Sequence, residues 1–479
     1  MLFNSVTYAI FLPIVFIIYW FVLKNHLKLQ NLFLLIAGYT FYGWWDWRFL
    51  FLLMLSSTVD YFVGLNLGRT DVEKKRKLIL MLSISFNIGL LGFFKYFNFF
   101  VDSFSVLLST LGFQVNPRSL NVILPVGISF YTFQSLSYTI DVYKRKMQPT
   151  KNALAFYSFV SFFPQLVAGP IERAIRLLPQ FEKERTVDLD LAKDGIKQIL
   201  WGIFKKIVIA DTCASQVAYI FNNHNNLSSV TLFVGAIYFA FQIYCDFSGY
   251  SDIAIGSAKL FGFKLMRNFA NPYFSRDIAE FWRRWHISLS TWFRDYVYIP
   301  LGGNRGSKIS QIKNSLITFT VSGFWHGANW TFIIWGFLNG LYYVPGIIFG
   351  NIKKNKKKTA EIVAYGRNWP SLKEFLGILL TFFLTLIAWV FFRSPNLRSA
   401  IAYLKGMFQF SFSLTEFGLY KYLFSILILI FIEWITRVDE HPLKFKTSPV
   451  FVRWSVYYAL IMIIFLNFRE EVTFIYFQF

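Results

Sequence analysis

Apolar runs of nearly membrane-spanning length recur from one end of the chain to the other. They cover Val6–Leu23, Leu78–Phe94, Val230–Tyr244, Trp330–Phe349, Phe375–Phe392, Tyr422–Ile435 and Ser455–Leu466. A helix needs about 20 mostly apolar residues to cross about 30 Å of hydrocarbon. Within that layer each segment must satisfy its own backbone hydrogen bonds. Some runs fall a few residues short, so their polar flanks must complete them. Only 15% of the 479 residues are charged, while 55% are hydrophobic; soluble domains carry about 25% charge. The pattern predicts an all-α, polytopic integral membrane protein with roughly 10 to 12 membrane segments, some of them re-entrant. A transmembrane barrel would instead alternate with period two. The opening M-L-F-N-S-V-T-Y holds no Lys or Arg and no small-residue cleavage site. It reads as the start of a first membrane helix and not as a signal peptide.

The formal net charge is +22. In a soluble chain this would suggest nucleic acid. Here the cations sit in short loops: Lys24 and Lys28, Arg69–Lys77, Lys144–Lys146 and Lys353–Lys358. Cytoplasmic loops of membrane proteins are enriched in this way, facing anionic lipid. The expected partner of the charge is therefore membrane lipid, with no nucleic acid; binding of an anionic cytosolic cofactor is the second reading, and the two can coexist. Crossing in at Lys24–Lys28, out at Trp44, Trp45 and Trp47, and back in at Arg69–Lys77 fits both the basic bias and the preference of indoles for the interface. Cys213 and Cys245 are the two cysteines, so at most one disulfide is possible.

The middle of the chain differs. From Gln165 to Arg305 the apolar stretches are short and interrupted by Pro, Gly and charge. P-Q-L-V-A-G-P-I-E-R (Pro164–Arg173) cannot form one regular span, since Pro164 and Pro170 break it. Charge and broken helices at membrane depth belong where protein or water walls a cavity. A single domain over 1–479 is the economical reading, with its functional centre within about 165–350.

Three stretches there carry candidate chemistry. E-F-W-R-R-W-H-I-S-L-S-T-W-F-R-D-Y (Glu280–Tyr296) reads as one amphipathic helix. Its aromatic side holds Trp282, Trp285 and Trp292, its basic side Arg283 and Arg294, and His286 lies at the border. The plainer reading is a helix lying on the membrane; the other is a lining for the passage of an anionic molecule. I-P-L-G-G-N-R-G (Ile299–Gly306) favours a turn and lacks the Lys-Ser/Thr of a phosphate loop. S-G-F-W-H-G-A-N-W (Ser322–Trp330) places His326 in apolar company. Basic residues Arg305, Lys308 and Lys313 precede it and Lys353–Lys358 follow, so the chain between crosses an even number of times. The simplest solution is a hairpin whose first arm, Asn314–Trp325, is about 12 residues or about 18 Å long. That short arm predicts His326 well inside the bilayer. Gly323 and Gly327, four apart, let another backbone approach. Intramembrane ionisable residues are functional by default, and a neutral imidazole is the form a general base needs. His26, His224 and His441 read as solvated loop residues. No zinc-type histidine spacing occurs, so no metal site is expected.

At W-R-R-W-H-I-S-L-S-T-W-F-R-D-Y and S-G-F-W-H-G-A-N-W the sequence resembles the membrane-bound O-acyltransferase family. More narrowly it is similar to the membrane subunits of bacterial polysaccharide O-acetylation, of the alginate and peptidoglycan types. S-F-Y-T-F-Q-S-L-S-Y-T-I-D-V-Y (Ser129–Tyr143), P-Q-L-V-A-G-P-I-E-R, Y-C-D-F-S-G-Y-S-D-I-A-I-G (Tyr244–Gly256) and the ending F-I-Y-F-Q-F (Phe474–Phe479) match that subgroup as well.

The resemblance implies a ring of helices around a thin central region. It implies His326 as the principal catalytic histidine and His286 as the second. Arg283, Arg294, Trp325 and Asn329 are the donor-binding candidates. The implied donor is acetyl-coenzyme A or another acyl thioester on the cytosolic side, used as a substrate and not as a tightly bound cofactor. The implied acceptor is a polysaccharide outside the bacterial cytoplasmic (inner) membrane, reached through an extracytoplasmic hydrolase-like partner. Two alternatives stand beside this. One is D-alanyl transfer to teichoic acid from a carrier-protein thioester. The other is a non-enzymatic transporter of a precursor, since broken helices and intramembrane charge suit transporters too.

Overall fold

Helices account for all the regular structure of the described residues, with no strand among them. The computed structural model describes every residue except 114–119, 121–122, 168, 351–361, 446–447, 469–473 and 476–479. Among the described residues seven helices are long and apolar enough to cross a membrane: Arg48–Gly68, Glu73–Thr110, Ser229–Leu260, Trp330–Ile348, Leu372–Arg393, Gly418–Ile435 and Val450–Asn467. Val6–Val22 is a shorter apolar helix. The middle is mixed: Phe163–Leu166 is a single turn with Pro164 near its start, whereas Ser229–Leu260 is one unbroken helix of 32 residues, longer than the short apolar stretches expected there. Lys353–Lys358 and Tyr476–Phe479 lie outside the described residues.

The chain forms two compact units, Met1–Ile196 with Ala254–Met266, and Lys197–Ile253 with Arg267–Phe479. In the first, helix Ile128–Tyr143 is buried around almost its whole circumference. It packs against Arg48–Gly68 and the helix that starts at Glu73. A polar cluster links the three. The fully buried Asp60 accepts from Ser83 Oγ at 2.6 Å and Asn87 Nδ2 at 3.0 Å, and Ser83 in turn meets Thr139 at 3.1 Å. A buried carboxylate is tolerable only with such donors. Arg76 donates to the carbonyls of Val142 and Tyr143, at 3.1 and 2.9 Å, and Arg145 pairs with Asp71 at 2.9 Å. The basic loops around Arg69–Lys77 and Lys144–Lys146 therefore sit together at one end of this unit.

In the second unit, the first part of the 32-residue helix Ser229–Leu260 packs on a helix that widens to π geometry over Lys205–Ala210. Two consecutive buried lysines sit there. Lys205 pairs with Asp252 at 2.7 Å; Lys206 pairs with Asp246 at 2.7 Å and Asp211 at 2.8 Å. Such buried cations persist only when paired. Cys213 and Cys245 are separate buried thiols.

The hairpin at the histidine motif is present, with a longer first arm than expected. It runs from Lys308 to His326, 19 residues, and returns as Trp330–Ile348. Ser307 caps the arm by accepting from Ser310 N at 3.2 Å, and Lys308 Nζ donates to Ile348 O at 2.8 Å. At 1.5 Å per residue the arm is about 28 Å long. His326 thus stands near the hairpin's turn, as expected, but at the end of an arm that nearly matches the hydrocarbon thickness and not a short one. Gly323 meets Gly336 of the returning helix, and Gly327 faces the ring of Phe332.

A second expectation is corrected at Glu280–Tyr296, which is not one helix. Ile278–Arg284 ends at Trp285; His286 adopts a left-handed conformation (φ 42°, ψ 56°); and Ile287–Phe293 starts a new direction. An extended segment takes up the hydrogen bonds released at the break. Ala270 N donates to Arg284 O at 3.0 Å, and Ile287 N donates to Asn268 O at 2.9 Å. His441, expected in solvent, is buried.

Candidate active site

The hairpin delivers His326 to an aromatic enclosure. Its ring lies edge-on to Trp335 at 5.0 Å and to Phe392 at 5.5 Å, with Trp325 at 4.9 Å. Trp335 stacks on Trp389 at 5.7 Å, and Trp389 meets Trp285 at 5.1 Å. The residue after Trp285 is His286. A continuous chain of indoles therefore joins the surroundings of the two histidines, although they lie 40 positions apart in sequence. Both imidazoles are buried, His286 completely. The aromatic positions that local periodicity assigned to one helical face are the walls of this core. Their packing surrounds both rings with apolar surface.

His286 is held closely. Phe247 meets its ring edge-on at 4.5 Å, and Phe269 lies parallel at 6.2 Å. Its Nδ1 lies 3.2 Å from Asn268 Oδ1 and 3.3 Å from Ser288 Oγ. A positive φ at a non-glycine residue stores strain and is found at functional sites; here it turns the imidazole into the core between two short helices.

The candidate donor-binding residues divide. Trp325 belongs to the His326 enclosure. Arg283 and Arg294 are exposed, and Arg294 pairs with Asp295 at 2.7 Å. Asn329 has structural work: Oδ1 caps the returning helix through Thr331 N at 3.0 Å, and Nδ2 donates to Pro395 O at 3.0 Å. The neighbouring Arg284 is bound to Glu280 at 2.5 Å, and Glu280 also accepts from Arg276 at 2.9 Å. Arg276 reaches Glu374 at 3.3 Å. One arginine of the W-R-R-W pair thus anchors the helix, while Arg283 faces outward.

Sequence reasoning missed Asn268, Ser288, Trp335 and Trp389. Ser288, two residues past His286, was the one within reach of local inspection. It also left the terminal stretch F-I-Y-F-Q-F without a place. Phe474 packs on Tyr250 at 4.4 Å and Phe247 at 5.8 Å, and Ile475 N donates to Asp246 Oδ2 at 2.7 Å. The last described residues therefore dock beside the aromatic ring that touches His286. Among the described residues no cluster of three metal-binding side chains occurs.

Residues 145–369, which contain both histidines, match the model of the membrane-bound O-acyltransferase family. The chain is also 42% identical over 410 residues to a protein of Pseudomonas syringae pv. tomato named "Probable alginate O-acetylase", covering 85% of this chain and 75% of that one. The chain belongs to the membrane-bound O-acyltransferase family. It is an acyltransferase, and the resemblance first carried by its two histidine motifs is borne out. A peptidoglycan O-acetyltransferase of Helicobacter pylori is 37% identical over 437 residues, covering 85% of this chain and 80% of that one. A teichoic acid D-alanyltransferase of Streptococcus thermophilus is 29% identical over 323 residues, covering 61% of this chain and 75% of that one. The membrane-bound O-acyltransferase assignment accounts for the apolar helices and for the enclosed histidines together.

Proposed function

We propose that this acyltransferase takes an acetyl group from acetyl-coenzyme A on the cytosolic side of the bacterial inner membrane. It passes the group to a hydroxyl on the outer side, for O-acetylation of an extracytoplasmic polysaccharide. The observation that carries the reading is His326, buried among Trp325, Trp335 and Phe392 at the tip of the hairpin. The attacking hydroxyl oxygen bonds to the thioester carbonyl carbon while neutral His326 takes its proton. The carbon–sulfur bond then breaks, and the departing thiolate receives that proton to leave as coenzyme A thiol. The dry aromatic wall protects the thioester from water during this step. Exposed Arg283 is suited to attract the phosphates of coenzyme A.

An extracytoplasmic hydrolase-like partner completes delivery to the polymer in this reading. Relatives named for O-acetylation align over 85% of this chain, against 61% for the D-alanyltransferase, which supports acetyl over D-alanyl transfer. The test uses radiolabelled acetyl-coenzyme A and membranes carrying the accessory proteins. His326→Ala is expected to lower acetate transfer to polymer by about 10²-fold or more. Transfer at the wild-type rate would overturn the catalytic assignment, and label entering only from a D-alanyl carrier thioester would replace the donor.

A further inference from the structure

We infer that Asn268 is a positioning residue that fixes the tautomer of His286, leaving Nε2 as the proton-accepting atom of a second histidine at the transfer site. The inference rests on the reading of this aromatic core as the place of acyl transfer. The hydrogen bonds around Asn268 determine its orientation without reference to that role. Ser288 N lies 3.2 Å from Asn268 Oδ1, and a backbone N–H can only donate. The atom facing it must therefore be the carbonyl oxygen. Asn268 Nδ2 donates on its other side to Ser251 Oγ at 3.1 Å. Turning the amide over would set its NH₂ against the Ser288 N–H, a contact between two donors. Ser288 Oγ also donates to Oδ1, at 2.9 Å. His286 Nδ1, 3.2 Å from the same oxygen, can bond to it only as a donor, and Ser288 Oγ, 3.3 Å from Nδ1, directs its proton to Oδ1 at the shorter distance. A neutral imidazole with its proton on Nδ1 carries its lone pair on Nε2.

That Nε2 is buried and has no hydrogen-bond partner among the described residues. Buried polar atoms are almost always paired. An imidazole that served only the packing would have both nitrogens satisfied. Asn268, Ser288 and Ser251 are all buried, so solvent does not compete for the arrangement. The left-handed backbone of His286 adds a second, independent sign that the ring's direction is enforced. Nδ1 is engaged by Asn268 and Nε2 is left without a hydrogen bond, the division of labour by which an orienting group holds a general base. In acyl transfer such an Nε2 accepts a proton from the attacking hydroxyl or passes one to the departing thiolate.

The chain has five histidines, few enough for ¹⁵N-histidine NMR of the full-length protein in lipid nanodiscs. His286→Gln identifies the His286 signals by their loss. In the wild type His286 is expected neutral, with its proton on Nδ1. In Asn268→Leu the proton should move to Nε2 or divide between the two nitrogens. Acetyl transfer should then lose about 10²-fold or more in kcat, while KM moves less than about threefold. Asn268→Asp retains the acceptor oxygen and should restore the Nδ1–H tautomer and most of the lost rate. A wild-type proton on Nε2, or a tautomer unmoved in Asn268→Leu, overturns the positioning role. If His286→Gln transfers acetate at the wild-type rate while the tautomer behaves as expected, the participation of His286 in transfer fails and the assignment of Asn268 stands.

Discussion

Gly323 and Gly336 pass each other with no side chain between them. A methyl group on Gly323 would lie 3.0 Å from Gly336 Cα and 2.3 Å from Phe332 O. This contact is backbone on backbone, so neither side yields by rotating a side chain. Small residues at such crossings let membrane helices approach closely. Gly323→Ala is therefore expected to push the hairpin arms apart and destabilise the protein by about 1–3 kcal/mol, the range for overpacking. Acetyl transfer should fall as well, because His326 is three residues further along the same arm. Thermal unfolding in detergent measures the first effect. Gly89, with nothing within 4 Å of an added methyl, is the control: Gly89→Ala should leave the midpoint unchanged or raise it. Equal midpoints for the two variants would show that the close crossing carries no constraint.

Lys206 is enclosed with two carboxylates, Asp246 at 2.7 Å and Asp211 at 2.8 Å. Lys206→Met leaves both without their cation. Removing one partner of a buried pair costs about 3–5 kcal/mol, because the remaining charge stays buried. Adding Asp246→Asn should recover part of that loss. It removes one stranded charge, and the amide oxygen still accepts from Ile475 N. The ordering of midpoints, wild type above double variant above Lys206→Met, is the measurement; a double variant less stable than the single would contradict the pairing argument.

The hairpin is legible in the sequence from its charges, since cations bracket it on both sides. The length of its first arm was not legible. Lys308 and Lys313 look like loop residues when cations are taken as boundaries. In the fold Lys308 begins the helix and uses its ammonium on Ile348 O, as long side chains with apolar stems can at a helix end. Helical periodicity placed the aromatic residues of Glu280–Tyr296 near the core but implied a continuous helix. The break at His286 depends on Asn268 and Ala270, which supply the missing hydrogen bonds from 14 to 20 residues upstream, beyond any local pattern. Trp335 and Trp389 were hidden for a related reason. Each sits in an apolar run where an indole reads as lipid-facing, and only tertiary packing turns both toward the histidines.

Glu416 closes the start of the long helix Ser229–Leu260. Its carboxylate accepts from Ser228 N at 3.2 Å, from Ser228 Oγ at 2.5 Å and from Thr231 Oγ1. Burial raises the pKa of this carboxyl, but the Ser228 and Thr231 donors outweigh burial and hold it below the usual range. A carboxyl whose folded pKa is depressed contributes stability above its unfolded value, about 4.3 for Glu, and loses it as pH falls through the folded value. Glu416→Gln should therefore cost about 1 kcal/mol near neutrality, as loss of a helix cap does. The gap between the two unfolding midpoints should stay level down to about pH 5 and close below about pH 4. A gap that persists unchanged into acid would mean that the charge on Glu416 contributes nothing.

The two ends of the hairpin can be distinguished by chemical labelling. Lys308 Nζ bonded to Ile348 O brings its entry and exit together. Single cysteines at Ser307 and Phe349 should therefore react with a membrane-impermeant maleimide from the same side. Cys213 and Cys245 are buried and should stay silent in the native protein, so the wild-type background serves. The arm of about 28 Å nearly matches about 30 Å of hydrocarbon, and Trp330 at the far end is exposed. Trp330→Cys should thus react from the opposite side. If Ser307 and Phe349 label from opposite sides, the hairpin does not return and His326 cannot stand at its tip. If Trp330→Cys resists reagent from both sides, the tip lies within the hydrocarbon, and the acceptor hydroxyl must descend to reach His326.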